Sequence, residues 1–316
     1  MNRAQGPGIR GRRRGALPSA ALAFFTFALA LPAPAAAQLA VRGEIVHTMA
    51  GEPIRDGVVL IGRDGKIERV GPASEVRIPT GYRTLTGKVV TPGLVDAHSV
   101  VGLAGYMNQP HEQDQLDRSN AIQPELRAID AYNARERLVE WIREHGVTTV
   151  HTGHGPGALI SGQTMIVKTR GENVEEAVVQ PVTMVAMTLG PEVSRNYNSR
   201  PGTRAKGVAM LRAEFLKAQA YMEKKDAARD LKMETLAKVL RGEIPALITA
   251  QRATEILAAL RLQQEFGFRL ILDGAAEAYM VIDEIRAAGV PVILHPTMAR
   301  HSGTRENATP ERARIL

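Results

Sequence analysis

A chain of 316 residues that is 44% hydrophobic and 23% charged can bury a substantial core, which excludes a disordered protein and allows two domains or one large barrel. The formal charge of +7 includes Arg3, Arg10, Arg12, Arg13 and Arg14; residues 1–37 hold these five arginines and no acid, so without them the charge is +2. Neither that balance nor an aromatic content of 4% supports a nucleic-acid surface, and the absence of cysteine excludes disulfides, thiol nucleophiles and Cys-ligated zinc or iron–sulfur centres.

Residues 1–37 read as an export signal. The basic stretch Arg10–Arg14 precedes an apolar run from Ala16 to Leu31, and Pro32-Ala33-Pro34-Ala35-Ala36-Ala37 supplies small residues for cleavage. Cleavage is expected after Ala37, leaving a mature protein that starts at Gln38 and is periplasmic or secreted. The rival reading, a transmembrane anchor, is countered by Pro18, Pro32 and Pro34. No later segment approaches 18 apolar residues in a row, so no stable membrane insertion is expected after cleavage.

Residues 38–90 read as a small antiparallel sheet of four or five strands. Val58–Ile61 and Lys66–Val70 flank Gly62-Arg63-Asp64-Gly65, and Asp-Gly between β-type runs is a hairpin signal because glycine takes φ > 0 without steric cost. Asp56-Gly57 repeats the device one strand earlier. Such a block is too small to be comfortable alone.

From residue 89 short apolar runs alternate with helical stretches. Strands are predicted at Val89–Ala97, Val147–Thr152, Gln163–Thr169, Val182–Met187, Ala246–Ala250, Arg269–Asp273 and Val290–His295. Helices are predicted over Ile129–His145 and over Lys206–Leu240, with Leu211, Phe215, Ala218 and Met222 on one side. Two more carry stripes at Ala253, Ile256, Leu257, Leu260 and at Ala278, Val281, Ile282, Ile285. This alternation predicts parallel βα units, about seven strands of an α/β (β/α)8 TIM-like barrel over 91–316. The third strand is ambiguous, since Ser161-Gly162-Gln163 could equally begin a hairpin.

Val90-Thr91-Pro92-Gly93-Leu94-Val95-Asp96-Ala97-His98 resembles the first barrel strand of the amidohydrolase superfamily, in its imidazolonepropionase-like branch. Gly146-Val147-Thr148-Thr149-Val150 resembles the second, and the block at 38–90 is similar to the small β-sandwich that precedes the barrel in that family. The resemblance runs from about residue 40 to the end. It implies a divalent metal, zinc first, and metal-activated water attacking a carbon–nitrogen bond other than a peptide bond in a small-molecule substrate. It also implies an eighth strand and a return to the sandwich. The chain stops at Leu316 just after Thr309-Pro310, so the barrel is expected to be incomplete, as in a truncated chain.

The departures from the family pattern bear on the site. His-x-His at the first strand is here His98-Ser99-Val100, and Val100 has no lone pair to offer. The histidines that the family places after the fifth and sixth strands correspond to Gln251 and to Asp273 or Gly274, with no histidine between His154 and His295. The expectation is therefore His98 and Gln251 as metal ligands, and Asp273 and His295 as catalytic groups. His151 and Arg200 are expected at the substrate. At most one metal is expected, held weakly or absent. Two functions stay open: a metal-dependent amidohydrolase, or a degenerate barrel that binds a small molecule or partner without catalysis. A solvated loop is the plainer reading of Arg200, and a buried, hydrogen-bonded core histidine is the plainer reading of His295.

Overall fold

The computed structural model describes residues 38–296 and 303–316; the stretch 1–37, expected to be an export signal, lies outside the described residues. The chain divides into two compact units, up to Pro92 and from Gly93.

The first unit holds β1 (Leu39–Val46), β2 (Ile54–Ile61), β3 (Ile67–Pro72) and β4 (Arg83–Val90) in the order β3-β2-β1-β4. β1 pairs antiparallel with β2, and β2 with β3. β4, however, runs parallel to β1, with Leu39 opposite Arg83 and Val46 opposite Val90. The wholly antiparallel expectation is corrected here: residues 73–82 carry the chain from β3 to the far side of β1, and a return of that kind can deliver a parallel strand. Ala40, Val58, Leu60 and Val76 form the buried core of this unit. Asp64-Gly65 makes its turn, with Gly65 at φ +75°. Asp56-Gly57 does not; it lies inside β2. Arg42 clamps Asp56 across the strands at 2.7 and 2.9 Å. Glycine is needed at 57 because a Cβ would stand 2.5 Å from Val46 Cγ2.

The predicted strand Val89–Ala97 divides between the units. Pro92 offers no amide to a ladder, and β5 (Leu94–Ser99) starts two residues later. The second unit continues with α1 (Arg137–Glu144), β6 (Val147–Gly153), β7 (Ile160–Lys168), α2 (Val174–Ala177), β8 (Val178–Gln180), β9 (Val185–Leu189), α3 (Pro191–Asn196), α4 (Arg204–Glu223) and α5 (Leu231–Leu240). It ends with β10 (Ala246–Ala250), α6 (Ala253–Phe266), β11 (Leu270–Gly274), α7 (Ile282–Ala288), β12 (Val292–Leu294) and α8 (Arg312–Ile315). The sheet order is β12-β11-β10-β9-β7-β6-β5, with β8 beside β7. This is a nearly closed seven-strand barrel sheet.

β5 and β6 are parallel, and so are β9 to β12. β7 is antiparallel to both its neighbours. Residues 154–159 are too few for a helical crossover, so the chain after β6 turns back as a hairpin. Three helix expectations need correction. The span 206–240 is two helices, because Asp230 caps α5 by accepting from Lys232 N at 2.9 Å and Met233 N at 3.1 Å. The span 129–145 holds the end of a 3₁₀ turn, Ala128–Asp130, and then only α1, which Glu136 caps through Leu138 N at 2.6 Å. The stripe at 278–285 is split between a 3₁₀ turn, Ala278–Met280, and α7.

Leu211, Phe215 and Ala218 are buried on one face of α4, as the spacing predicts, but Met222 is 41% exposed at the helix end. Phe215 packs on Phe266 and Phe268, with ring centroids 5.1 Å apart in each pair. No helix among the described residues is long and apolar enough to cross a membrane.

Candidate active site

Strand β5 ends one edge of the sheet path, and β11 and β12 lie at the other. Side chains from the two ends nevertheless meet. His98 of β5, Asp273 of β11 and His295, one residue past β12, each bring a potential ligand atom within 4.8 Å of the others. His98 Nδ1 donates to Asp273 Oδ1 at 2.9 Å and His295 Nε2 donates to the same oxygen at 2.7 Å. Thr249 stands opposite Asp273 in the β10–β11 register, and its hydroxyl donates to Oδ2 at 2.7 Å. Three donors thus fix one buried carboxylate.

Burial alone would raise the Asp273 carboxyl. The hydrogen bonds from His295 and His98 overcome that and hold it well below the usual carboxylate range. The same contact with Asp273 raises His295 against the opposing effect of burial.

The orientation of His98 is local in origin. The β5–β6 register shifts between Asp96 and Ser99, and Asp96 Oδ1 accepts from His98 N at 3.2 Å. This slip turns His98 inward, where it is 6% exposed. Its Nε2 is buried with no hydrogen-bond partner among the described residues.

His151 lies beside the trio, its ring centroid 5.6 Å from that of His98. Both of its nitrogens are engaged. Nδ1 donates to Ala97 O at 2.8 Å and Nε2 accepts from Thr164 Oγ1 at 2.7 Å. Burial lowers its pKa and favours this neutral tautomer.

Gln251 is buried elsewhere at the strand ends. Its backbone amide donates to Glu255 Oε2 at 3.1 Å. Its side-chain amide lies over Gly274, where a Cβ would meet Nε2 at 2.3 Å and where φ is +79°. Gln251 and Thr249 share the lining of a cavity of about 190 Å³ with Thr188, Arg195 and Arg305. No side-chain hydrogen bond joins Gln251 to the trio.

Arg200 is exposed, and its backbone amide donates to Tyr197 O at 3.0 Å. Arg204, four residues on, lines a cavity of about 810 Å³ and stands 3.6 Å from the buried Glu255 carboxylate.

Two participants were not anticipated from sequence. Thr249 had a signal, since strand alternation puts it on the same face as Gln251. Arg312 had none: it is 5% exposed in α8 and donates to the carbonyls of Gly274 and His295, bracing the strand ends that carry Asp273 and His295.

No family model matches the chain. In three dimensions it superimposes with a TM-score of 0.82 on an amidohydrolase from Thermotoga maritima MSB8, at 29% identity over 88% of this chain and 75% of that one. The chain is 24% identical over 267 residues to the amidohydrolase tasK of Hapsidospora irregularis, covering 72% of this chain and 27% of that protein. It is 30% identical over 139 residues to an imidazolonepropionase of Streptococcus sanguinis, covering 36% and 32%. These matches support the amidohydrolase superfamily.

A shorter stretch of the chain also aligns with an FMN-dependent NADH:quinone oxidoreductase of Shewanella oneidensis. That match is 34% identical over 121 residues, covering 34% of this chain and 58% of that protein. It spans about a third of the chain, whereas the amidohydrolase superposition spans nearly all of it. The chain spans about a quarter to a half of the length of the curated amidohydrolase-type relatives it matches.

Proposed function

We propose that the chain is a metal-assisted hydrolase of carbon–nitrogen bonds, other than peptide bonds, in a small molecule. The observation that carries this reading is the convergence of His98, Asp273 and His295 from strands far apart in sequence. Two imidazoles and one carboxylate are donor types that zinc accepts, and one potential ligand atom from each lies within 4.8 Å of the others. The residues therefore fit one divalent ion, held by His98 and Asp273 with His295 beside them. When bound, such an ion supplies Lewis-acid polarisation and acidifies water.

Asp273 is the proton acceptor in this scheme, kept in place by Thr249. His295 is the proton donor to the departing nitrogen, because its side chain is 37% exposed while those of His98 and Asp273 are 3% and 2% exposed. Zinc-supplemented protein tested on a panel of cyclic amides and N-acyl compounds is expected to release carboxylate. Asp273→Asn is expected to lower that turnover by about 100-fold or more.

The second reading is a binding protein without catalysis. Its support is that both Asp273 oxygens are already engaged, and that Val100 and Gln251 stand where the family pattern has imidazoles. Retained ligand binding with no turnover across the panel would favour it.

Export belongs to the same proposal, on the order of basic, apolar and small residues in 1–37. Sequencing of the native N-terminus is expected to begin at Gln38; Met1 on cytoplasmic protein would contradict it.

A further inference from the structure

The cavity of about 810 Å³ that Arg204 lines lies among α3, the first half of α4 and the first half of α6. That volume is in the range of small-molecule sites. None of His98, Asp273 and His295 lines it.

The accessible charge of its wall has one sign. Arg204, Val208 and Arg212 follow one another at four-residue steps on α4, which keeps them on one side of the helix. Arg195 of α3 and Arg261 of α6 complete the wall. Arg195, Arg204 and Arg261 are exposed and Arg212 is half-buried. The acid among the lining residues is Glu255, whose side chain is 1% exposed. Its Oε2 accepts from the backbone amides of Gln251 and Arg252, both at 3.1 Å, and burial raises its pKa. It therefore presents almost no negative surface to the cavity.

The four arginines are not equally engaged. Glu265 holds Arg212 through contacts of 2.8 and 2.9 Å, and Glu192 holds Arg195 at 3.3 Å. Arg204 stands 3.6 Å from Glu255, and Arg261 makes no ion pair among the described residues. Beside these guanidinium groups the wall is apolar and still accessible: Pro191 and Val208 are half-buried and Ala205 is exposed.

We propose that this cavity binds a small organic anion with an apolar body, a carboxylate on an aromatic or alkyl frame. Arg204 and Arg261 are the guanidinium groups with least to give up, and a guanidinium matches a carboxylate in shape as well as charge. Pro191, Ala205 and Val208 offer the body an apolar surface to cover. The inference does not depend on hydrolysis at Asp273.

The test is calorimetric titration of the metal-free full chain with naphthoate. Naphthamide serves as the neutral analogue and acetate as the anion without an apolar body. Saturable binding of naphthoate is expected, at least tenfold tighter than either analogue. Arg204→Gln and Arg261→Gln are each expected to weaken it about tenfold, the loss of a charge-assisted contact. Arg77→Gln, an exposed arginine of the other unit, is expected to leave it unchanged. Val208→Trp, which fills the space, is expected to abolish binding. Absence of saturable binding, equal affinity for naphthamide or acetate, or unchanged affinity in the Arg204 and Arg261 variants would overturn the proposal. So would an equal loss in Arg77→Gln. Should Val208→Trp fail to fold by circular dichroism, the arginine variants and the three-probe comparison decide.

Discussion

Asp273→Ala is expected to lower the unfolding free energy by about 3 kcal/mol, the scale for removing one partner of a buried charged network. Asp273 is 2% exposed and accepts from His98, His295 and Thr249, so the substitution strands three donors at once. Thr249→Val removes one of those bonds and keeps the shape; it is expected to cost about 1 kcal/mol. Urea denaturation followed by circular dichroism measures both. Similar midpoints for the two variants would show that the histidines are not organised around Asp273. Zinc affinity is expected to follow a different order, with Asp273→Ala abolishing it and Thr249→Val reducing it modestly, because only the first removes a ligand atom.

Phe215→Ala is expected to cost about 3–5 kcal/mol, the range for truncating a buried aromatic. Phe215 is 1% exposed and contacts two aromatic rings, Phe266 at the end of α6 and Phe268 just before β11. The cavity left behind would separate α4 from the segment that delivers Asp273. Met222→Ala, on the same helix but 41% exposed, is expected to stay within about 0.5 kcal/mol. A small effect at Phe215 would mean that the surrounding side chains collapse into the space.

Some of this architecture is legible in the residues and some is not, for physical reasons. Ala246–Ala250 is a short, mostly apolar run between Pro245 and Gln251, and the strand has those bounds. The direction of β7 is hidden because apolar spacing is the same in parallel and antiparallel strands; the shortness of 154–159 carries that information. The break between α4 and α5 was visible in Asp230 as a capping residue, but the apolar spacing on both sides masked it. Asp56-Gly57 misled because glycine serves close packing against Val46 as well as turns.

For the site, each of His98, Asp273 and His295 could be placed at a strand end from pattern alone. Their convergence depends on how far the sheet curls, which no local spacing encodes. Gln251 shared their position along the strands, yet its side chain lies over Gly274. Arg200 belonged to a polar loop, and only the fold shows that Arg204 is the arginine of that loop lining a cavity.

The most direct test of the account is an anomalous difference map from crystals of the metal-free chain soaked in zinc. One peak between His98, Asp273 and His295, absent in His98→Ala crystals, is the predicted result. Two neighbouring peaks, or a peak that His98→Ala leaves unchanged, would contradict a single centre built on these three residues.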